Sequence, residues 1–114
     1  MDFQTMISNI YGQLRDLGLH ANYMGFFHAS YAVLLTATGP DLPPAAKWLY
    51  AAVAEQYQTT PENVERSIRS VVNAVWLQDP ESLERLAHQR LTRKPSVLQF
   101  ITILARNITY RRAA

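Results

Sequence analysis

The sequence predicts an all-α fold, a six-helix bundle containing a helix-turn-helix. Three observations carry this prediction. Apolar residues recur at three- and four-residue spacing along nearly the whole chain, and no segment alternates with the period of a strand. Proline, glycine and capping residues cut that pattern into six pieces. Between Ala45 and Trp76, two of the pieces stand back to back around the short break Gln56–Thr60.

The first helix spans Phe3 to Leu17, with Phe3, Met6, Ile7, Ile10, Leu14 and Leu17 along one face. Gly18 ends it, because glycine takes the left-handed conformation at a helix C-terminus without a Cβ penalty. Leu19 to Asn22 is a short connection, with Asn22 as N-cap of the second helix. That helix, Tyr23 to Ala37, is apolar around much of its circumference through Met24, Phe26, Phe27, Tyr31, Val33, Leu34 and Leu35, which suits the centre of a core. Gly39, Pro40, Pro43 and Pro44 then form a breaker cluster, and Pro43 or Pro44 starts the third helix. Ala45, Trp48, Leu49, Ala52 and Val53 make its apolar stripe. Thr60 caps the fourth helix, 61–77, with a hydroxyl that accepts from an unpaired N–H, and Pro61 occupies the first helical position, where its missing N–H costs nothing. Val64, Ile68, Val71, Val72 and Val75 fall on one side of this helix and Asn63, Arg66, Ser67, Ser70 and Asn73 on the other; Val64, Ile68 and Trp76 are expected to be buried. Gln78 and Asp79 cap a fifth helix from Pro80 to about Arg90, with a narrow stripe of Leu83, Leu86 and Ala87. A basic loop, Leu91 to Lys94, leads to Pro95, which opens a sixth helix packed through Leu98, Ile101, Ile103, Leu104 and Ile108. Tyr110 to Ala114 reads as a frayed basic tail.

Composition narrows the function. The chain has 114 residues, enough for a single helical domain over 1–114 with one core, and is 48% hydrophobic and 18% charged. It has no cysteine, which excludes disulfides and thiol chemistry. Three scattered histidines, His20, His28 and His88, do not make a zinc site, and no cofactor is expected. No apolar stretch is long enough to span a bilayer and no signal peptide opens the chain, so a cytoplasmic location is expected. No nucleophile lies in an activating motif, and no glycine-rich phosphate loop exists, so an enzyme is not expected. Through Thr60 two cationic side chains stand against four carboxylates; after it nine stand against five. A basic second half suits a polyanionic partner.

The fourth helix carries the functional reading. An apolar back with a front of Arg, Asn and Ser suits a recognition helix in the major groove of double-stranded DNA. The plainer reading is a solvated surface helix, with Glu62–Arg66 and Glu65–Arg69 as supporting i,i+4 pairs. Thr59 and Thr60, beside the free N–H groups of the helix start, are placed to hold a phosphate. Arg66 has the fork to donate two bonds to guanine, Asn63 suits adenine, and Glu65 can accept from cytosine.

Leu49-Tyr50…Val53-Ala54…Tyr57-x-Thr59-Thr60-Pro61-x-x-Val64-Glu65-Arg66-x-Ile68-Arg69…Ala74-x-Trp76 resembles the C-terminal effector domain of the sporulation initiation response regulator of endospore-forming bacteria. Leu17-Gly18-Leu19-His20-Ala21-x-x-x-Gly25-Phe26 upstream and Lys94-Pro95-Ser96…Phe100-Ile101…Ala105 downstream extend the likeness over nearly the whole chain. The resemblance implies a six-helix domain that binds promoter boxes, often as a tandem homodimer, and contacts RNA polymerase. It implies base reading by Asn63, Glu65 and Arg66, and phosphate contacts by Arg69, Arg93, Lys94 and Ser96. Four departures accompany it. Asn63 stands where the family commonly has Arg, which implies an altered box. Ser70, the remaining phosphate candidate, stands where the family has His. The Arg-Glu pair of the family's second helix is replaced around Ser30 and Tyr31. The segment from Trp76 to Pro95 is shorter than the family's, which bears on polymerase contact. The family's receiver domain does not precede these residues, which implies a stand-alone relative or an excised domain. An interaction module of the same fold, without DNA binding and acting on a full-length regulator, is the second reading.

Overall fold

The computed structural model describes residues 2–21 and 23–113, with side chains through Ile108; Asn22, expected as an N-cap, lies outside the described residues. Six helices follow in order: α1 (Phe3–Asp16), α2 (Met24–Thr38), α3 (Ala46–Tyr57), α4 (Pro61–Gln78), α5 (Pro80–Ala87) and α6 (Val97–Ala113). Among the described residues there is no strand, and no helix is long and apolar enough to cross a membrane.

The central position expected of the second helix is found. α2 packs against α1, α3, α4 and α6, and buries Phe26, Ala29, Ala32, Val33 and Leu34. Tyr11 of α1 stacks on Phe26 at 5.4 Å between ring centres. Where α2 crosses α4, Gly25 makes the approach possible: a Cβ there would fall onto the backbone oxygen of Ser67 and within 2.6 Å of Val71 Cγ2.

Three helices end in the same closure. After α1, Gly18 N–H donates to Arg15 O and Leu19 N–H to Leu14 O. Gln58 and Thr59 close α3 on Glu55 and Ala54, and His88 and Gln89 close α5 on Arg85 and Glu84. The pivot residue is left-handed each time, with φ of 88° at Gly18, 54° at Gln58 and 58° at His88. Only the first pivot is a glycine.

Several expected boundaries and faces are corrected. α3 starts at Ala46, with Ala45 as its extended N-cap, so neither Pro43 nor Pro44 opens it. Its buried face is Leu49, Val53 and Ala54; Ala45 is exposed and Trp48 is 52% exposed. Phe3 and Met24 are likewise exposed, while Phe27, Tyr31, Leu35 and Trp76 are half-buried at the margin of the core. α5 stops at Ala87 instead of near Arg90 because His88 turns left-handed. α6 starts at Val97, after a buried Pro95, and its backbone stays helical to Ala113 where a frayed tail was expected. Ser96 and Gln99 cap it reciprocally: Gln99 N–H donates to Ser96 Oγ at 3.2 Å and Ser96 N–H to Gln99 Oε1 at 2.8 Å.

Candidate nucleic-acid interface

α3 and α4 form the helix-turn-helix, joined by Gln58, Thr59 and Thr60. Thr60 Oγ1 accepts from Asn63 N–H at 3.1 Å, and Pro61 fills the first turn, as the sequence predicted. The apolar back of α4 is buried through all five expected residues, Val64, Ile68, Val71, Val72 and Val75. Fixing that face fixes the opposite one, so Asn63, Arg66, Ser70 and Asn73 are held outward.

A short hydrogen-bonded chain runs along this front. Asn63 Nδ2 donates to Thr59 Oγ1 at 3.1 Å, and Arg66 Nη1 donates to Asn63 Oδ1 at 3.3 Å. Ser70 Oγ donates to Arg66 O at 3.2 Å. The two Asn63 atoms held this way are the pair that would face an adenine edge, and each keeps a second N–H or lone pair free for it. Arg66 therefore leans on Asn63, and the expected Glu62–Arg66 pair is not formed.

Glu65 and Arg69 lie on the flank of α4 toward α3. Arg69 Nε donates to Glu65 Oε1 at 2.9 Å, and a second Arg69 nitrogen bonds the other carboxylate oxygen. The hydrogen bonds and charge of Glu65 raise the Arg69 pKa above its ordinary value, so Arg69 stays cationic. With Lys47, Tyr50 and Arg66 they line a groove of about 580 Å³ between α3 and α4. Burial, and then the nearby Glu65 carboxylate, raise the Tyr50 pKa.

The predicted phosphate residues fall into two groups. Thr59, Thr60, Arg69 and Ser70 belong to α4 and its turn. The Thr59 N–H is already bonded to Ala54 O, which leaves its hydroxyl as the polar group facing the front. Lys94 joins this surface from the α5–α6 loop: its Nζ donates to Asn73 Oδ1 at 2.5 Å. Arg93 and Ser96 stand on either side of Lys94 and Pro95 but line a separate cleft beside α6.

Ser67 departs from the expected front. Its hydroxyl donates to Val64 O at 3.0 Å and lies 2.6 Å from Nδ1 of His28 on α2. With the hydroxyl proton on Val64, His28 Nδ1–H is the donor. His28 is buried, and its desolvation lowers its pKa below the ordinary 6.5. Tyr57, at the end of α3, sets its ring edge-on to His28 at 5.0 Å. One histidine thus braces both helices of the motif from behind. Sequence reasoning missed this brace, the part of Asn73 in holding Lys94, and the place of Lys47 and Tyr50 in the groove. Asn73 carried the only signal, its position one face-repeat beyond Arg66.

Among the described residues no group of three His, Asp or Glu side chains is placed to hold a metal ion. What α4 presents is an exposed polar ridge on an apolar base, flanked by cations. The sequence matches one family model, described as sporulation initiation factor Spo0A C terminal, over residues 10–108. That span takes in α2 to α5 whole, the turn and most of α6, so the chain belongs to this family of DNA-binding effector domains of the sporulation regulator.

Proposed function

We propose that residues 1–114 act as one sequence-specific, non-enzymatic DNA-binding domain that regulates transcription, with α4 in the major groove. The observation that carries the proposal is the adjacency of Asn63 and Arg66 on the outward face of a helix whose other face is core. Arg66 reads guanine through O6 and N7, Asn63 reads adenine through N6 and N7, and Glu65 accepts from cytosine. Thr59, Thr60, Arg69, Ser70, Arg93, Lys94 and Ser96 supply phosphate contacts. Family membership extends the proposal to contact with RNA polymerase and to pairing of two copies on tandem boxes.

Selection from a random duplex pool tests the reading. The wild type should enrich a box with adenine opposite Asn63, and Asn63→Arg should move that position to guanine, with about 1–3 kcal/mol of discrimination at each contact. The same box from both proteins would remove Asn63 from the base-reading set. No enrichment from either would leave the chain an interaction module of this fold.

A further inference from the structure

A second cationic surface lies away from α4. The α5–α6 loop and the side of α6 enclose an open cleft of about 690 Å³. Arg90, Arg93 and Arg106 stand around it, and Leu91, Leu98 and Ile103 lie along its floor. The three leucine and isoleucine side chains pack against the hydrophobic core, so the floor is held in place before anything binds. No carboxylate lines the cleft, and among the described residues none of the three guanidinia is paired with one. Elsewhere the chain does neutralise arginine, as Glu65 does Arg69. Among the described residues the charge here is left uncompensated.

The lining decides the kind of occupant. Among the described residues that line it there is no aromatic ring. Single-stranded nucleic acid is held on aromatic platforms on which bases stack, and the described lining offers none. Duplex DNA would bring phosphates to the rim but nothing to cover Leu91, Leu98 and Ile103. A protein segment with both carboxylates and aliphatic side chains satisfies both parts of the surface. The cleft follows α6 from Ser96 to Arg106, about 15 Å at the helical rise, which some five residues of extended chain would span.

We propose that this cleft docks an acidic segment of a partner protein, its carboxylates on Arg90 and Arg106 and its aliphatic side chains on the floor between them, with Arg93 at the rim left to the DNA backbone. The test uses the whole chain and a fluorescein-labelled twelve-residue peptide, Glu-Leu-Glu-Glu-Leu-Glu repeated twice, followed by anisotropy. The peptide should bind saturably. Arg90→Glu combined with Arg106→Glu should weaken it at least about tenfold while leaving the helical circular dichroism and the affinity for the selected DNA box unchanged. Control peptides with glutamine for glutamate, or serine for leucine, should each bind more weakly, since the site asks for both features. Absence of saturable binding overturns the proposal, as does binding that survives the double reversal. Displacement of the peptide by a duplex without the box, with that duplex's own affinity lost in the double variant, would make the cleft a nucleic-acid surface instead. A concentration-dependent dimer in sedimentation that the double variant abolishes would make the occupant a second copy of the chain. Either result overturns the proposal, and neither bears on base reading by α4.

Discussion

At the scale of single residues, Gln58 carries a penalty that function does not explain. It holds a left-handed conformation that costs an L-residue about 1–2 kcal/mol, part of which glycine would return in unfolded-state entropy. Gln58→Gly should therefore stabilise the domain by about 1 kcal/mol, read as a higher denaturation midpoint at constant slope. The polar ridge gives a second residue-level expectation. Lys94→Ala and Arg69→Ala should each lower the salt slope of DNA binding by about one unit, alike for all sequences. An unchanged slope takes that residue out of the phosphate set. These positions also mark how far sequence reading reached. Gln58 and His88 gave no sign of a left-handed turn, because the usual sign is glycine; α5 was consequently expected three residues too long. Gly18 made the same closure and was legible.

At the scale of helices, the buried stripe of α4 was read correctly, Ser67 and Trp76 aside, and that of α3 was not, and the reason is their composition. α4 has aliphatic residues on one side and polar residues on the other, so periodicity permits one orientation. α3 has Trp48, Leu49, Ala52, Val53 and Ala54 around more than half its circumference, so two neighbouring stripes fit equally well. Packing against α2 and α4 chose the stripe of Leu49, Val53 and Ala54 and left Trp48 outside. The close crossing of α2 and α4 yields a prediction at this scale. Gly25→Ala gains helix propensity yet forces its methyl into Ser67 O and Val71, and overpacking of this kind costs about 1–3 kcal/mol. Chemical denaturation should show the loss, and affinity for the selected box should fall with it, because α4 must shift to make room. A stability gain would mean that the helices separate freely.

At the scale of the molecule, the fold class and the order of elements were legible because breakers and caps lie where helices end. The brace between helices was not, since His28 and Ser67 are thirty-nine residues apart and neither residue type announces the other. That brace makes stability depend on pH. Burial lowers the His28 pKa in the folded state, so the unfolded chain binds the proton more readily. The contribution of neutral His28 is complete above the ordinary value of 6.5 and is lost as pH falls from there through the lower folded value. Asp2 and Asp79, whose carboxylates are lowered by hydrogen bonds to Thr5 and Ser82, lose their contributions only below about 3.8, outside this window. The melting temperature of the wild type should therefore drop as pH falls below 6.5. His28→Asn keeps a donor toward Ser67 without the titration and should flatten that drop. An unchanged pH profile would show that His28 does not control it.

The division of α4 into a buried back and an outward front also has a use in retargeting. Asn63, Arg66, Ser70 and Asn73 face outward and none belongs to the core, so all four can be randomised together in a library without repacking the bundle. Ser67, in the middle of that window, is the polar exception beside the core residues Val64 and Ile68: its hydroxyl is spoken for by His28 and Val64. A library that varies residues 63–70 as an unbroken block would discard many clones for lost support of the helix before their preference for DNA was ever sampled. Holding Val64 and Ile68 constant for the core, and Ser67 for the brace, keeps the search confined to specificity.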